Sequence, residues 1–176
     1  MRLLAISGSL RAQSSNMTVL RAAALLAPED DVEFYEGLGA LPHFNPDLDG
    51  EGAVAPHEVA EFRERVARAD ALLICSPEYA HGVPGSLKNA LDWLVSSPVI
   101  IDKPIALINA SARSTFAHAQ LLETLRTMST RIVAAPVIPL DGRKGIDAEG
   151  IAHDAELANV LRDALAALRR SIIPAT

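Results

Sequence analysis

A polar segment near the amino terminus has the residue types of an anion-binding loop. Residues 8–16 read Gly-Ser-Leu-Arg-Ala-Gln-Ser-Ser-Asn, and they precede a stretch, 17–26, whose composition predicts a helix. The first N–H groups of a helix have no intrahelical partner, and the helix dipole adds roughly half a positive charge there. One cation and several hydroxyls beside such a terminus suit the terminal phosphate of a mononucleotide. The candidate ligands are Ser9, Arg11, Ser14, Ser15, Asn16 and Met17.

That segment could also be an ordinary polar loop in which Asn16 caps the helix. A second segment favours the anion site. Residues 76–93 read Ser-Pro-Glu-Tyr-Ala-His-Gly-Val-Pro-Gly-Ser-Leu-Lys-Asn-Ala-Leu-Asp-Trp, and they follow the apolar run 71–75. Both segments therefore follow a strand-like run, as two loops at the carboxyl edge of one parallel sheet would.

Together the two segments resemble the paired signatures of the NAD(P)H-dependent FMN reductases, a flavodoxin-like family that includes quinone, azo-dye and chromate reductases. The first signature, Gly-Ser-x-Arg-x-x-Ser-x-Asn, is met at Gly8, Ser9, Arg11, Ser14 and Asn16. The second is Pro-Glu-Tyr-Asn, a short spacer and Pro-Gly-x-Leu-Lys-Asn-Ala-x-Asp-Trp. It is met at Pro77, Glu78, Tyr79, Pro84, Gly85, Leu87, Lys88, Asn89, Ala90, Asp92 and Trp93.

The resemblance implies an oxidoreductase that binds FMN and uses NADPH or NADH as co-substrate. Hydride would pass from the nicotinamide through flavin N5 to a small-molecule oxidant, such as a quinone, an azo compound or free flavin. It also implies a homodimer or homotetramer, because a neighbouring subunit often completes the flavin pocket in this family. Two alternatives stay open, namely a flavodoxin-type electron carrier and a flavin-free flavodoxin-like interaction protein.

The hydrophobic pattern predicts alternating strands and helices in one domain, residues 1–176. Continuous apolar runs are typical of parallel strands covered on both faces. The fold class is therefore α/β, and the family implies a flavodoxin-like, doubly wound five-stranded parallel sheet of order 2-1-3-4-5, with helices on both faces. Strands are expected near 2–7, 32–35, 71–76, 105–109 and 132–137, and helices near 16–26, 56–69, 85–95, 115–129 and 151–170.

By the same resemblance, the loop after the third strand would meet the flavin ring. Backbone N–H groups there would face the pyrimidine edge of the ring, and Gly82 would permit the turn. The predicted contacts are Pro77, Glu78, Tyr79, Ala80, His81 and Gly82, with Ser111 from the loop after the fourth strand.

Two departures from the family pattern lie in these loops. Ala80 and His81 follow the tyrosine where the family commonly has Asn, so a side-chain contact is lost or is replaced by His81. Residues 111–118 lack the glycines that the family often carries there. Arg113 in that loop could contact the 2′-phosphate of NADPH, although a surface arginine needs no ligand.

Composition excludes several other classes of function. A net charge of −6 disfavours nucleic acid as a partner, and no apolar run approaches the length of a membrane span. Cys75 is the only cysteine, which is typical of a cytoplasmic protein and predicts a small buried core residue. The histidines are scattered without metal-ligand spacing, so we expect no metal site, and no catalytic triad is expected.

Overall fold

Strands and helices alternate along the computed structural model, which describes residues 1–50, 52–143 and 145–172. The strands are β1 Arg2–Ser7, β2 Asp31–Tyr35, β3 Ala71–Cys75, β4 Pro104–Ile108 and β5 Arg131–Ala134. The helices are α1 Ser15–Leu25, α2 His57–Arg68, α3 Gly85–Val95, α4 Thr115–Thr127, α5 Ala148–His153 and α6 Ala155–Ile172. Short 3₁₀ turns occupy Gly37–Gly39, Pro46–Leu48 and Pro98–Ile100.

The five strands form one parallel sheet of order β2-β1-β3-β4-β5, which confirms the predicted flavodoxin-like topology. Successive side chains of a strand point to opposite faces. Along β1, Leu4 and Ile6 pack in one core with Phe62 of α2, while Leu3 packs in the other core with Leu20 of α1. Apolar burial on both faces explains why the central strands are continuous apolar runs.

Beyond shifts of one or two residues at the ends of elements, three features differ from the prediction. The expected helix at 151–170 is two helices, because the chain leaves helical geometry at Asp154 (ψ 113°), whose carboxylate then accepts the N–H of Leu157 at 3.1 Å. Strand β5 ends at Ala134, and Val137 makes only an isolated bridge to Asn109. Helix α1 is capped at Ser14, so the interpretation of Asn16 as its cap is wrong.

Two side chains of the second signature fix the irregular segment that precedes α2. Asn89 Nδ2 and Trp93 Nε1 both donate to the carbonyl of Pro42, at 2.9 and 2.8 Å. The Asn89 amide oxygen accepts the N–H of Phe44 at 2.8 Å, and the Phe44 ring meets Trp93 edge-on. Trp93 is fully buried. The Asn and Trp of this motif therefore have a structural role in holding the segment against α3.

Candidate functional site

The loops after β1, β3 and β4 emerge at the carboxyl edge of neighbouring strands, where ligands bind in sheets of this kind. The first two loops touch closely at Gly8, whose N–H donates to the carbonyl of Cys75 at 2.9 Å. A β-carbon on Gly8 would lie 2.5 Å from Ser76 Oγ and 3.0 Å from Leu87 Cδ2. A side chain at this position would force Ser76 to move, so the glycine of the first signature permits the close approach of the two loops.

A second link joins α1 to β3 inside the protein. The Cys75 thiol donates to the Asn16 amide oxygen at 3.2 Å, and both residues are buried. Burial raises the pKa of the Cys75 thiol, so it stays protonated as a donor. The prediction of a small buried core residue at Cys75 is confirmed. Because the thiol occupies the amide oxygen, Asn16 retains its N–H groups for a ligand.

Ser14 is the residue that indicates where an anion would bind. It caps α1 in an extended conformation, yet its hydroxyl makes no capping hydrogen bond. Among the described residues, Ser14 Oγ is buried and has no hydrogen-bond partner. An unpaired buried hydroxyl costs about 1–3 kcal/mol. A phosphate at this point would accept from it and remove that cost, so the site fits the phosphate of FMN.

The backbone and Arg11 supply further donors at the same place. The first intrahelical bond of α1 runs from the Thr18 N–H to the Ser14 carbonyl, which leaves the N–H groups of residues 15–17 outside the helical ladder. Arg11 is exposed, and its backbone N–H donates to Ser9 Oγ at 3.3 Å. The predicted phosphate ligands are therefore brought together around the start of α1.

A groove of about 590 Å³ continues from this cradle. Arg11, Gln13 and Ser15 line one side, and residues of the loop after β5, including Arg143, line the other. Arg143 is paired with Asp154, which fixes it at the junction of α5 and α6. The described lining contains two guanidinium groups and no carboxylate. Sequence reasoning missed Arg143, because nothing in its local sequence connects it with the amino-terminal loop.

The loop after β3 forms a tight turn. Tyr79 and Gly82 exchange two backbone hydrogen bonds, of 3.1 and 2.9 Å, and Ala80 and His81 occupy the corner with φ of +50° and +60°. The prediction that Gly82 supplies the unusual backbone conformation is wrong, since the left-handed geometry falls on the two residues before it. Asn tolerates this geometry better than Ala, which gives a backbone reason for the Asn that the family carries where Ala80 stands.

The Glu78 side chain points to α4. Its Oε2 accepts the N–H of Ala117 at 2.9 Å, and its Oε1 lies 3.1 Å from Nδ1 of His81. The Ala117 N–H holds the pKa of Glu78 below its usual range, and His81 adds to the lowering. The Glu78 carboxylate is therefore engaged within the protein, and the predicted flavin contact of Glu78 stays a prediction. The half-exposed Tyr79 ring is free to lie beside a ligand.

The loop after β4 is organised by an aspartate that sequence reasoning missed. Ser111 Oγ donates to Asp141 at 2.9 Å, the Ala112 N–H does so at 2.8 Å, and Arg113 Nε does so at 3.0 Å. Burial pushes the pKa of Asp141 up, but these hydrogen bonds and the guanidinium outweigh it and hold the pKa below its ordinary value. The predicted flavin contact of Ser111 and phosphate contact of Arg113 stay predictions. Asp141 lies 30 residues from Ser111, and no pattern links the two.

Residues 1–50, 52–143 and 145–172, which the structure describes, contain no group of three or more His, Cys, Asp or Glu side chains placed to hold a metal ion. None of their helices combines the length and the apolar character that crossing a bilayer requires.

Comparison with known proteins identifies the family. Residues 1–143 match the family model described as NADPH-dependent FMN reductase. The chain is 34% identical over 175 residues to an NAD(P)H-dependent FMN reductase of Pseudomonas aeruginosa, a match that covers 96% of this chain and 93% of the relative. It is 39% identical over 115 residues to a 2-hydroxy-1,4-benzoquinone reductase of a Burkholderia species, covering 63% and 61% of the two chains.

A solved structure agrees with these sequence matches. The flavoenzyme FerB of Paracoccus denitrificans, an NAD(P)H:(acceptor) oxidoreductase, superimposes with a TM-score of 0.82 at 27% identity, and the match covers 97% of this chain and 96% of that one. The sheet order, the unpaired serine at the start of α1 and the matched signatures all fit the same assignment. The chain therefore belongs to the NADPH-dependent FMN reductase family, and it is an oxidoreductase with FMN as its flavin and NAD(P)H as its co-substrate.

Proposed function

We propose that the protein reduces quinones, with the FMN phosphate held at the start of α1 and the flavin ring against the Tyr79–Gly82 turn. The observation that carries the placement is the buried, unpaired Ser14 hydroxyl beside the exposed Arg11. Quinone as the oxidant is supported by relatives named as quinone reductases, including one of Arabidopsis thaliana that is 42% identical over 113 residues. That match covers 61% of this chain and 57% of the relative.

Bound FMN supplies the hydride chemistry, and the protein supplies binding, orientation and charge. Arg11 and the helix terminus balance the phosphate dianion, while Ser14 donates a hydrogen bond to it. Tyr79 and Gly82 donate their N–H groups to each other's carbonyls, so other backbone N–H groups of this loop would face the pyrimidine edge of the ring and stabilise negative charge there. Gly8 keeps the phosphate loop and the turn close enough to hold the two ends of one ligand.

The test is a visible spectrum of the purified protein during three additions. FMN should bind with a change in its absorption bands, anaerobic NADPH or NADH should bleach them, and 1,4-benzoquinone should restore them. A protein that binds FMN and stays oxidised with both nucleotides would be an electron carrier. One that binds no flavin would be an interaction protein. If the bound FMN is reduced but only azo compounds reoxidise it, the protein is an oxidoreductase whose oxidant is not a quinone.

We further propose that the active form is a homodimer that uses the surface between α3 and α4. A groove of about 600 Å³ lies there, and it begins at Gly82 of the flavin turn and extends to Val95, whose side chain is 65% exposed. Phe116 and Tyr79, close to the same turn, each expose 55% of their surface. A second copy on this surface would cover apolar area and close one side of the flavin site.

Analytical ultracentrifugation tests the dimer with two matched variants. Val95→Asp should give a monomer with weakened FMN binding. Val54→Asp, at a position 91% exposed in the irregular segment before α2, should leave the dimer intact. A monomeric wild-type protein, or a Val95→Asp variant that still dimerises, would remove this surface from the proposal. The tetramer, the cytoplasmic location and the single-domain organisation stay predictions.

A further inference from the structure

The imidazole of His81 is held on two sides and open on a third. Its Nδ1 lies 3.1 Å from Glu78 Oε1, and its ring meets the Phe116 ring edge-on with the centroids 4.4 Å apart. Among the described residues, Nε2 of His81 has no hydrogen-bond partner, and the side chain is 73% exposed. The two contacts hold the ring in one orientation, and Nε2 stays accessible to a ligand.

The backbone beneath the ring is unusual as well. His81 has φ +60° in a turn closed by two hydrogen bonds between Tyr79 and Gly82. Gln120 Nε2 of α4 approaches the His81 carbonyl at 3.5 Å, which fastens the turn to that helix. A left-handed conformation is strained for a residue with a β-carbon, and such strain persists where surrounding structure fixes it. The imidazole is thus carried by a constrained turn at the edge of the proposed flavin site.

Reduction of a quinone requires a proton as well as a hydride. A quinone that gains a hydride and one proton becomes a hydroquinone, and the established activity supplies only the hydride. The second oxygen develops negative charge as the hydride arrives, so a positioned acid beside it accelerates the reaction.

We propose that His81 is this acid and that Glu78 positions it. As the oxidant receives its hydride, an O–H bond forms on the developing oxyanion and the Nε2–H bond of the His81 imidazolium breaks. The imidazole is left neutral and takes a proton from water before the next cycle. This inference rests on the proposed quinone reductase function and on the placement of the flavin beside the turn.

Glu78 suits the positioning role because of where its two oxygens are used. Oε1 faces Nδ1 of His81, which leaves Nε2 to carry the transferable proton, as in other carboxylate–histidine pairs. Oε2 is occupied by the Ala117 N–H, which keeps the carboxylate in place and ionised. From α4 the Phe116 ring meets the imidazole and Gln120 approaches the His81 carbonyl, and neither of these side chains titrates. Glu78 is therefore the one charged group paired with the imidazole among the described residues.

The experiment separates proton transfer from electron transfer in the FMN-loaded protein. Reduced enzyme is mixed in a stopped-flow instrument with 1,4-benzoquinone, which takes up protons, or with ferricyanide, which takes an electron and no proton. His81→Gln should slow reoxidation by the quinone about 10²-fold or more and flatten its pH dependence. Reduction by NADPH and reoxidation by ferricyanide should slow far less than reoxidation by the quinone. The matched control is His57→Gln, an exposed histidine at the start of α2, which should behave as wild type.

Glu78→Gln tests positioning with a readout that needs no flavin. In the flavin-free wild type, long-range ¹⁵N–¹H NMR should show the neutral His81 ring with its proton on Nδ1, and Glu78→Gln should reduce this preference. Reoxidation of the reduced Glu78→Gln variant by the quinone should slow less than reoxidation of the His81→Gln variant. Equal slowing of quinone and ferricyanide, or no slowing of either, would overturn the role of His81. A wild-type protein that binds no FMN, or that NADPH cannot reduce, would overturn the proposed function itself.

Discussion

Replacing Ser14 with alanine should have opposite effects on the flavin-free protein and on its complex with FMN. In the free protein the hydroxyl is buried without a partner and makes no capping bond, so its removal relieves a desolvation penalty. The penalty for such a group is about 1–3 kcal/mol, and we expect the free energy of unfolding to rise by about 1 kcal/mol. In the complex the same change removes a hydrogen bond to a charged phosphate. That loss is about 1.5–3 kcal/mol, or roughly one to two decades in Kd.

Urea unfolding of the free protein and a flavin fluorescence titration measure the two effects. Ser97→Ala is the matched control, because Ser97 is also a buried serine that makes no capping bond but lies before β4, at the opposite edge of the sheet. It should leave FMN affinity unchanged. If Ser14→Ala destabilises the free protein by the ~1 kcal/mol typical of a lost N-cap, the hydroxyl has a partner in solution and the reasoning fails.

Four other predictions follow from the same geometry. Arg11→Ala should weaken FMN binding by about 1.5–3 kcal/mol and leave riboflavin binding unchanged, while Arg11→Lys should recover part of the lost affinity. Equal losses of affinity for FMN and riboflavin in fluorescence titrations would refute a phosphate contact. Ala80→Asn should raise the free energy of unfolding by about 0.5–1 kcal/mol, measured in urea, because Asn tolerates the left-handed backbone. Arg113→Ala should raise KM for NADPH and not for NADH, and equal changes in steady-state assays would return Arg113 to its surface pairing with Asp141 alone. The Asp141 pKa lies below its ordinary value of 3.8, so its contribution to stability is present above that pH and is lost as the pH falls through the lower folded value. NMR should therefore show the Ala112 N–H protected from exchange at pH 5 and exposed well below pH 3.8, and protection unchanged in strong acid would contradict this account.

The strands and most helices were predictable from the residues, because apolar runs and helical periodicity are local signals, whereas the strand order was predicted from the family resemblance. Helix α3 was expected at 85–95 and lies at Gly85–Val95. The break between α5 and α6 at Asp154 was not predicted, because an aspartate within a helical pattern is usually a residue of the exposed face. Its role as a cap became apparent only when the structure showed its carboxylate accepting the N–H of Leu157. The two signatures also placed the phosphate loop and the flavin turn at one edge of the sheet, as the structure does.

The hydrogen-bond and ion-pair partners of the side chains within the site could not be predicted from the sequence. Glycine is the residue that most readily adopts positive φ, so the turn after β3 was assigned to Gly82, whereas hydrogen bonds across the turn force that geometry on Ala80 and His81. Asp141 and Arg143 reach the site from the region after β5, outside the two signatures. Their role depends on tertiary contacts between loops that are distant in sequence, and such contacts produce no recognisable sequence pattern.

Trp93 is the one tryptophan of the chain, and its fixed surroundings make it a built-in optical probe. The indole is fully buried, donates to the Pro42 carbonyl and contacts Phe44, so its emission should be blue-shifted in the native protein. Loss of the segment around Pro42 from α3 would expose the indole and move the emission to the red. Tryptophan emission also overlaps flavin absorption, so bound FMN should quench it by energy transfer. A single emission trace could then follow both the docking of this segment and the filling of the flavin site.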